Sequence, residues 1–313
     1  MVAFLKVRRV RIGRMAMKKI TKCIIPAAGL GTRLLPATKS QPKEMVPVGR
    51  KPVIQHVVEE AVGAGITEIL VITGARKRSI EDHFDRDHQL ERVLREKGNS
   101  RLLHEIDFLD KLNARIFYTR QSDPTGLADA VLLGESFVDG EAFAVSLGDT
   151  IIQSYEGGSF LWKLIDSHVR SGAVATVAVE EVESDRLSRF GVVKPRMIDG
   201  LSMKLEDLVE KPKPNQAPSN LAIAARYVFE PDIFDAIRKT PKGYGGERQL
   251  TDAMRVLLKE GKPVWAFKLN EREKRHDIGD LRTYAMAFVD MCLADPEIGA
   301  TFRRDLEGLL QRK

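Results

Sequence analysis

Short, mostly apolar, strand-like runs alternate along this chain with longer stretches in which apolar residues recur every three or four positions. The short runs cover 22–26, 67–72, 114–119 and 142–147, a length and texture that predict strands buried on both faces. The spaced pattern predicts helices near 53–63, 76–84, 88–110 and 126–136. After Asp149 it continues with a helix at about 159–171 and a strand at 173–180. Shorter strands follow between about 190 and 229, punctuated by Pro195, Pro212, Pro214 and Pro218, and helices return near 231–239, 248–260, 281–293 and 296–311. Such alternation predicts an α/β fold: a Rossmann-like, mixed but mainly parallel sheet flanked by helices, with inserted strands and C-terminal helices. There is no internal repeat and no low-complexity tract. One domain over 18–313 is expected, with halves at 18–150 and 151–280 and a helical end at 281–313.

In sheets of this kind ligands gather at the carboxyl ends of the strands, so the loops after 22–26, 114–119 and 142–147 are expected to share one crevice. The first of these loops carries the sharpest chemistry. Ile24-Ile25-Pro26-Ala27-Ala28-Gly29-Leu30-Gly31-Thr32-Arg33 runs an apolar strand into a glycine turn with a fixed cation, and Pro42-Lys43-Glu44-Met45 brings a second. Gly29 and Gly31 let backbone N–H groups approach a polyphosphate. Arg33 adds a planar fork and Lys43 a point charge. A P-loop needs Gly-Lys-Ser/Thr after four intervening residues, and the spacing to Arg33 does not supply it. A dinucleotide-binding turn lacks its third glycine, because Leu34 stands there, and Pro36 and Pro42 interrupt the helix it requires. A bare Gly-x-Gly reads more readily as an ordinary tight turn; the added Thr32-Arg33 and Pro42-Lys43 reverse that preference towards an anion site.

Two further segments carry charge where a ligand would meet it. Asp149 ends the run Phe143-Ala144-Val145-Ser146-Leu147-Gly148 and suits a hard divalent cation such as Mg²⁺, or else simply orders a turn. Glu210-Lys211-Pro212 offers a carboxylate and an ammonium on adjacent residues, which in an extended segment point to opposite sides; a solvated pair beside a proline turn is the alternative. The six histidines show no nucleophile-activating or metal-binding spacing and read as packing or surface residues.

These motifs resemble the sugar-1-phosphate nucleotidyltransferases, and Pro42-Lys43-Glu44-Met45 resembles the bacterial glucose-1-phosphate uridylyltransferases in particular. Val209-Glu210-Lys211-Pro212, Pro218-Ser219-Asn220-Leu221-Ala222, Gly246-Glu247-Arg248-Gln249-Leu250-Thr251-Asp252-Ala253 and Asp277-Ile278-Gly279 extend the likeness from about Lys18 to the last helix. The resemblance implies transfer of a uridylyl group from UTP to glucose 1-phosphate, giving UDP-glucose and pyrophosphate with Mg²⁺ as cofactor. It implies catalytic roles for Arg33, Lys43 and Lys211. It assigns Ala28, Gly29, Gly31, Thr32, Glu44, Gln121 and Gly126 to the nucleotide, and Gly148, Gly191 and Glu210 to the sugar. Asp149 and Asp277 would hold the metal, although Asp277, like Asp280, also reads as the N-cap of the helix at 281–293. The chain departs from the family where uridylyltransferases usually read Gly-Leu-Gly-His-Ala and it has Gly126-Leu127-Ala128-Asp129-Ala130. Thymidylyltransferases tend to carry alanine at the position of Ala128, so the base stays open here between UTP and dTTP. Leu147-Gly148-Asp149-Thr150 also lacks the second adjacent aspartate of some relatives. A catalytically silent nucleotide-sugar sensor is the reading from another class, and the intact Arg33, Lys43, Asp149 and Lys211 argue against it.

Composition narrows the partners. The 313 residues are 43% hydrophobic, enough for a substantial core. The net charge of +6 would suggest nucleic acid, but seven cations and no acid fall within residues 1–20, leaving 43 basic against 44 acidic residues elsewhere. A DNA-binding face is therefore not expected, and no apolar run approaches membrane-spanning length. The basic leader over 1–17 intersperses cations with Val7, Val10, Ile12 and Met15 and has no cleavage site, so it reads as a disordered tail or an upstream start rather than a signal peptide. Cys23 and Cys292 lack metal spacing and read as reduced structural thiols of a cytoplasmic protein. The helices beyond 281 offer a surface for a homo-oligomer, and ordinary packing explains them equally.

Overall fold

The computed structural model describes residues 19–107 and 112–311. The expected leader over 1–17 and positions 108–110 of the expected helix 88–110 lie outside the described residues. Its strands are β1 (Lys22–Pro26), β2 (Pro47–Val48), β3 (Lys51–Pro52), β4 (Glu68–Thr73), β5 (Arg115–Arg120), β6 (Phe143–Ser146) and β7 (Thr150–Ser154). They continue with β8 (Ala175–Glu181), β9 (Gly191–Asp199), β10 (Ser202–Glu210), β11 (Leu221–Phe229), β12 (Val264–Lys268) and β13 (Glu273–Asp277).

Nine of them form one sheet in the order β5-β4-β1-β6-β11-β8-β12-β10-β9. From β5 to β6 the pairing is parallel, as the alternation with helices requires. Beyond β6 the sheet is mixed: β11 enters antiparallel between β6 and β8, β12 runs parallel to β8, and the β9–β10 hairpin closes the edge. Adjacent residues of β1 feed different cores. Ile24 joins the cluster under the helices Leu127–Leu132, Asp232–Lys239 and Leu250–Lys259, while Cys23 and Ile25 join the one under Val53–Gly63 and Phe160–Ser171. Both faces are covered, which is why the strand reads as an unbroken apolar run. Burial pushes the Cys23 thiol up to about 12, in keeping with a structural role.

Two predicted helices are each divided. In place of one helix over 88–110 there are two, His88–Glu96 and Ser100–Ile106, because Gly98 adopts a left-handed φ of 65° and Asn99 caps the second helix by accepting from the Leu102 N–H at 3.1 Å. The stretch 126–136 divides into Leu127–Leu132 and Glu135–Val138. Gly134 stands at the break, where a Cβ would lie 2.3 Å from Ile24 Cδ1, so only glycine lets this turn sit on β1. Strands β7, β12 and β13 are absent from the sequence expectation. β13 reads Glu-Lys-Arg-His-Asp and has no apolar signal; it exists by pairing antiparallel with β7. No helix among the described residues is long and apolar enough to cross a membrane.

One buried ion pair ties these layers together. Arg226, fully buried in β11, donates from Nε and Nη2 to Glu60 Oε2 at 2.9 and 2.7 Å, and from Nη2 to the Thr150 carbonyl at 2.8 Å. The other Glu60 oxygen accepts from the Leu161 N–H at 3.2 Å. Removing one member strands a charge in the interior, so Arg226→Met is expected to lower stability by about 3–5 kcal/mol. Urea denaturation at pH 7 measures this, and adding Glu60→Gln to that variant is expected to restore part of the loss.

Candidate active site

The loops that follow β1, β5 and β6 meet, as their position at the carboxyl ends requires. Pro26, Ala28, Gly29, Arg33, Lys43, Gln121, Gly126, Leu147 and Asp149 line one open crevice, which Lys211 and Glu247 complete from the other half of the sheet. Gly74 to Lys77, after β4, extend it beside Gly29 and Gln121.

In the first loop the two glycines do different things. Gly31 has φ 65° and opens the 3₁₀ turn Thr32–Leu34, with its carbonyl held by Thr38 Oγ1 at 2.7 Å. Gly29 does not use a left-handed φ; a Cβ there would lie 3.4 Å from Lys43 Nζ, so its contribution is space beside the ammonium. Thr32 and Arg33 are exposed at the mouth, and Ala28 is half-buried behind them. Arg33 has no carboxylate within ion-pair distance among the described residues.

The other cations are held by carboxylates. Lys43 Nζ donates directly to Asp149 Oδ2. Burial would depress the Lys43 ammonium, but Asp149 and then Glu44 outweigh it and hold it above the usual lysine range. Burial likewise opposes the charge on Asp149, and Lys43 overcomes this to hold that carboxyl below its usual range. Glu44 accepts from Lys77 Nζ with both oxygens, at 2.8 and 2.7 Å, and is almost wholly buried. Desolvation raises Glu44 and lowers Lys77 despite their pairing. Glu44 thus lines the floor of the crevice and braces its cations. Lys77 escaped the sequence reading; its position just past the end of β4 was the available signal.

Asp277 ends β13 opposite Thr150, and the Ile278 N–H donates to the Asp149 carbonyl at 3.1 Å. Burial and then the Asp149 charge push its carboxyl up. Capping of the helix Leu281–Ala294 belongs to Asp280, which accepts from the Thr283 N–H at 2.9 Å, so Asp277 is not the cap.

At the opposite end Glu210 and Lys211 do not diverge as an extended segment would have them. Lys211 takes φ 45°, its N–H donates to the Phe190 carbonyl at 3.0 Å, and its ammonium lies 3.4 Å from Glu210 Oε1. The strand has ended at Glu210, so the alternation of sides ends with it. Gly191 faces Glu210 across the ladder, and a Cβ there would lie 3.1 Å from Glu210 Oε2 and 2.7 Å from Thr251 Oγ1. Gly148 is buried where β6 meets β1, its N–H donating to the Pro26 carbonyl at 3.2 Å.

Gln121 closes the loop after β5, its Nε2 donating to the Gly126 carbonyl at 3.2 Å. The substituted pair Ala128-Asp129 faces away from the crevice. Ala128 is fully buried in the core, and Asp129 accepts from Arg248 Nη1. Gly126 has φ 125° and ψ 167°, a region essentially reserved for glycine, and a Cβ there would lie 2.5 Å from the Arg248 carbonyl oxygen. Gly126→Ala is therefore expected to cost about 1–3 kcal/mol of stability, whereas Asp129→Ala, losing a half-buried pair, is expected to cost less; chemical denaturation of both variants checks the order.

Comparison with known proteins agrees with this geometry. The family model described as nucleotidyl transferase matches residues 22–292. The UTP–glucose-1-phosphate uridylyltransferase of Bacillus subtilis (strain 168) is 43% identical over 297 residues, covering 95% of this chain and 99% of the relative. A UDP-glucose pyrophosphorylase structure from Acinetobacter baumannii superimposes with a TM-score of 0.85 at 36% identity, covering 93% of this chain and 100% of that one. A UTP-bound form from the same organism also gives 0.85 at 36% identity, covering 94% and 100%. With its strand-end crevice and a match along nearly its whole length, the chain belongs to the nucleotidyl transferase family.

Proposed function

We propose that this protein transfers the uridylyl group of UTP to glucose 1-phosphate, forming UDP-glucose and releasing pyrophosphate. The observation that carries this reading is the convergence of Arg33, Lys43, Asp149 and Lys211, the last paired with Glu210, on one crevice that Gln121 also lines. Relatives named for this activity, and structures named as complexes with UTP and with UDP-glucose, support it. A phosphate oxygen of the sugar phosphate attacks the α-phosphorus, and the bond from that phosphorus to the bridging oxygen breaks as pyrophosphate leaves. The attacking group is already anionic, so the chain has to position and neutralise rather than deprotonate. Arg33 and the Gly29–Gly31 turn hold the triphosphate. Lys211 orients the nucleophile, and Lys43 meets phosphate oxygens between them. Glu210, facing Gly191, accepts from sugar hydroxyls.

Uracil is the favoured base because relatives of this chain are named for UTP, and Ala128 and Asp129, the residues that suggested dTTP, turn to the core and to Arg248. Cytoplasmic placement suits the two unpaired thiols. Asp149 and Asp277 fit Mg²⁺: two carboxylates close enough that the charge of one raises the other suit an ion held by few protein ligands together with phosphates. Bound there, Mg²⁺ would supply charge neutralisation at the reacting phosphate oxygens.

Pyrophosphate release, with UTP and dTTP crossed against glucose and galactose 1-phosphates, is the test. Strong turnover is expected only with UTP and glucose 1-phosphate; preference for another pair moves the protein to a sister activity. Arg33→Ala and Asp149→Ala are each expected to lower turnover on the order of a hundredfold, and a near-normal rate in either overturns its role. In the ligand-free protein Lys43 already neutralises Asp149, so Lys43→Met is expected to tighten Mn²⁺ binding about tenfold or more, read by titration calorimetry without substrate. Unchanged Mn²⁺ affinity removes Asp149 from the metal site.

A further inference from the structure

The turn Tyr244–Gly246 supplies a contact to Lys211 that the sequence reading did not single out. The Tyr244 ring centroid lies 4.6 Å from Lys211 Nζ, within cation–π range. The ring is 61% exposed, so burial in the core does not account for its placement. The turn is built to present it. The Gly243 N–H donates to the Glu247 carbonyl at 2.8 Å, the Gly246 N–H to the Gly243 carbonyl at 3.0 Å, and Gln249 Nε2 to the Tyr244 carbonyl at 3.1 Å. Gly245 and Gly246 take φ 70° and 73° with open space where a Cβ would stand, so they serve the turn's shape. The same segment continues into Glu247, which lines the crevice, and Arg248, which grips Asp129.

Lys211 is thereby held from two directions, by Glu210 at 3.4 Å and by the ring, on a backbone fixed at φ 45°. Its side chain keeps 30% exposure, leaving a face of the ammonium open. A flexible four-carbon stem would otherwise have to be ordered when an anion arrives, and that entropy would be subtracted from binding. We infer that Tyr244 is a positioning residue that holds the Lys211 ammonium ready for the phosphate of the incoming sugar 1-phosphate, and so sets the affinity for that substrate and not for the nucleotide. This rests on the function proposed above. Because the ammonium holds the phosphate alike before and during transfer, the loss is expected in KM and not in kcat.

Steady-state kinetics of Tyr244→Ala and Tyr244→Phe test it. In Tyr244→Ala the KM for glucose 1-phosphate is expected to rise about two- to fivefold, the range of one exposed cation–π contact, with kcat and the KM for UTP unchanged. Tyr244→Phe keeps the ring and is expected to match the wild type. A second readout does not use activity. In protein whose lysines are reductively ¹³C-methylated, the Lys211 resonance, identified by its absence in Lys211→Arg, is expected to be displaced by the ring in wild type and Tyr244→Phe. In Tyr244→Ala it is expected to return to the position of the other lysines. An undisplaced resonance, an unchanged KM in Tyr244→Ala, or equal changes for both substrates overturns the inference. A wild type inactive with UTP and glucose 1-phosphate, yet with a displaced Lys211 resonance, overturns the proposed function and the substrate assigned here while the ring contact stands.

Discussion

The Arg226–Glu60 pair is the interaction on which the placement of the active-site carboxylates depends. Arg226 sits just past a register shift in β11, where Ala225 takes φ 60° and turns the guanidinium inward. From there it reaches the helix Val53–Gly63 through Glu60 and the start of β7 through the Thr150 carbonyl. The Leu147 N–H donates to the Ala225 carbonyl at 3.1 Å, so the same irregularity also anchors the end of β6. Asp149 lies between these two anchored points. A buried pair gains little net stability against desolvation. What it contributes here is geometry, since five hydrogen bonds around one guanidinium and one carboxylate leave the neighbouring backbone few alternatives.

The crevice inherits that rigidity and adds a pattern of its own. Three of its lysines are each set against a carboxylate: Lys43 with Asp149, Lys77 with Glu44, and Lys211 with Glu210. The pairs hold the ammonium groups in place before any anion arrives, which is the preorganisation that makes charge stabilisation effective. Arg33 at the mouth differs, because an exposed guanidinium loses little by waiting in water. The satellite cluster of Leu34, Val46, Val48, Val53, Ile151, Ile278 and Ala287 holds the two loops and the helix Leu281–Ala294 against each other. That helix therefore braces β13, and with it Asp277.

The departures of this chain from its family pattern acquire a physical sense in the same frame. Asp129 and Arg248 are partners, and the backbone around Arg248 exchanges hydrogen bonds with Thr125 and Ala128 at 3.1 and 3.2 Å. The loop after β5 is thus stitched to the segment before the helix Leu250–Lys259. Asp129 serves to fasten the loop in this chain.

The sequence by itself determined β1, β4, β5 and β6, the helical stretches between them, the parallel character of that half of the sheet and the glycine–cation loop, because each is written in local periodicity or in neighbouring residues. Burial on both faces makes β1, β4 and β6 legible as apolar runs, whereas β5, expected to be buried, is a sheet edge with no fully buried residue; Arg33, Lys43 and Asp149 lie where the carboxyl ends of the buried strands bring them. Only the tertiary structure decided what depends on partners far along the chain. β13 carries no apolar signal and is a strand because β7 pairs with it. Lys77 becomes a crevice residue through Glu44, and Asp277 comes under the charge of Asp149 because β13 pairs with β7. Glu210 and Lys211 turn together because the strand stops between them. Periodicity records which face of an element avoids water; it does not record which distant charge will be waiting on the other side.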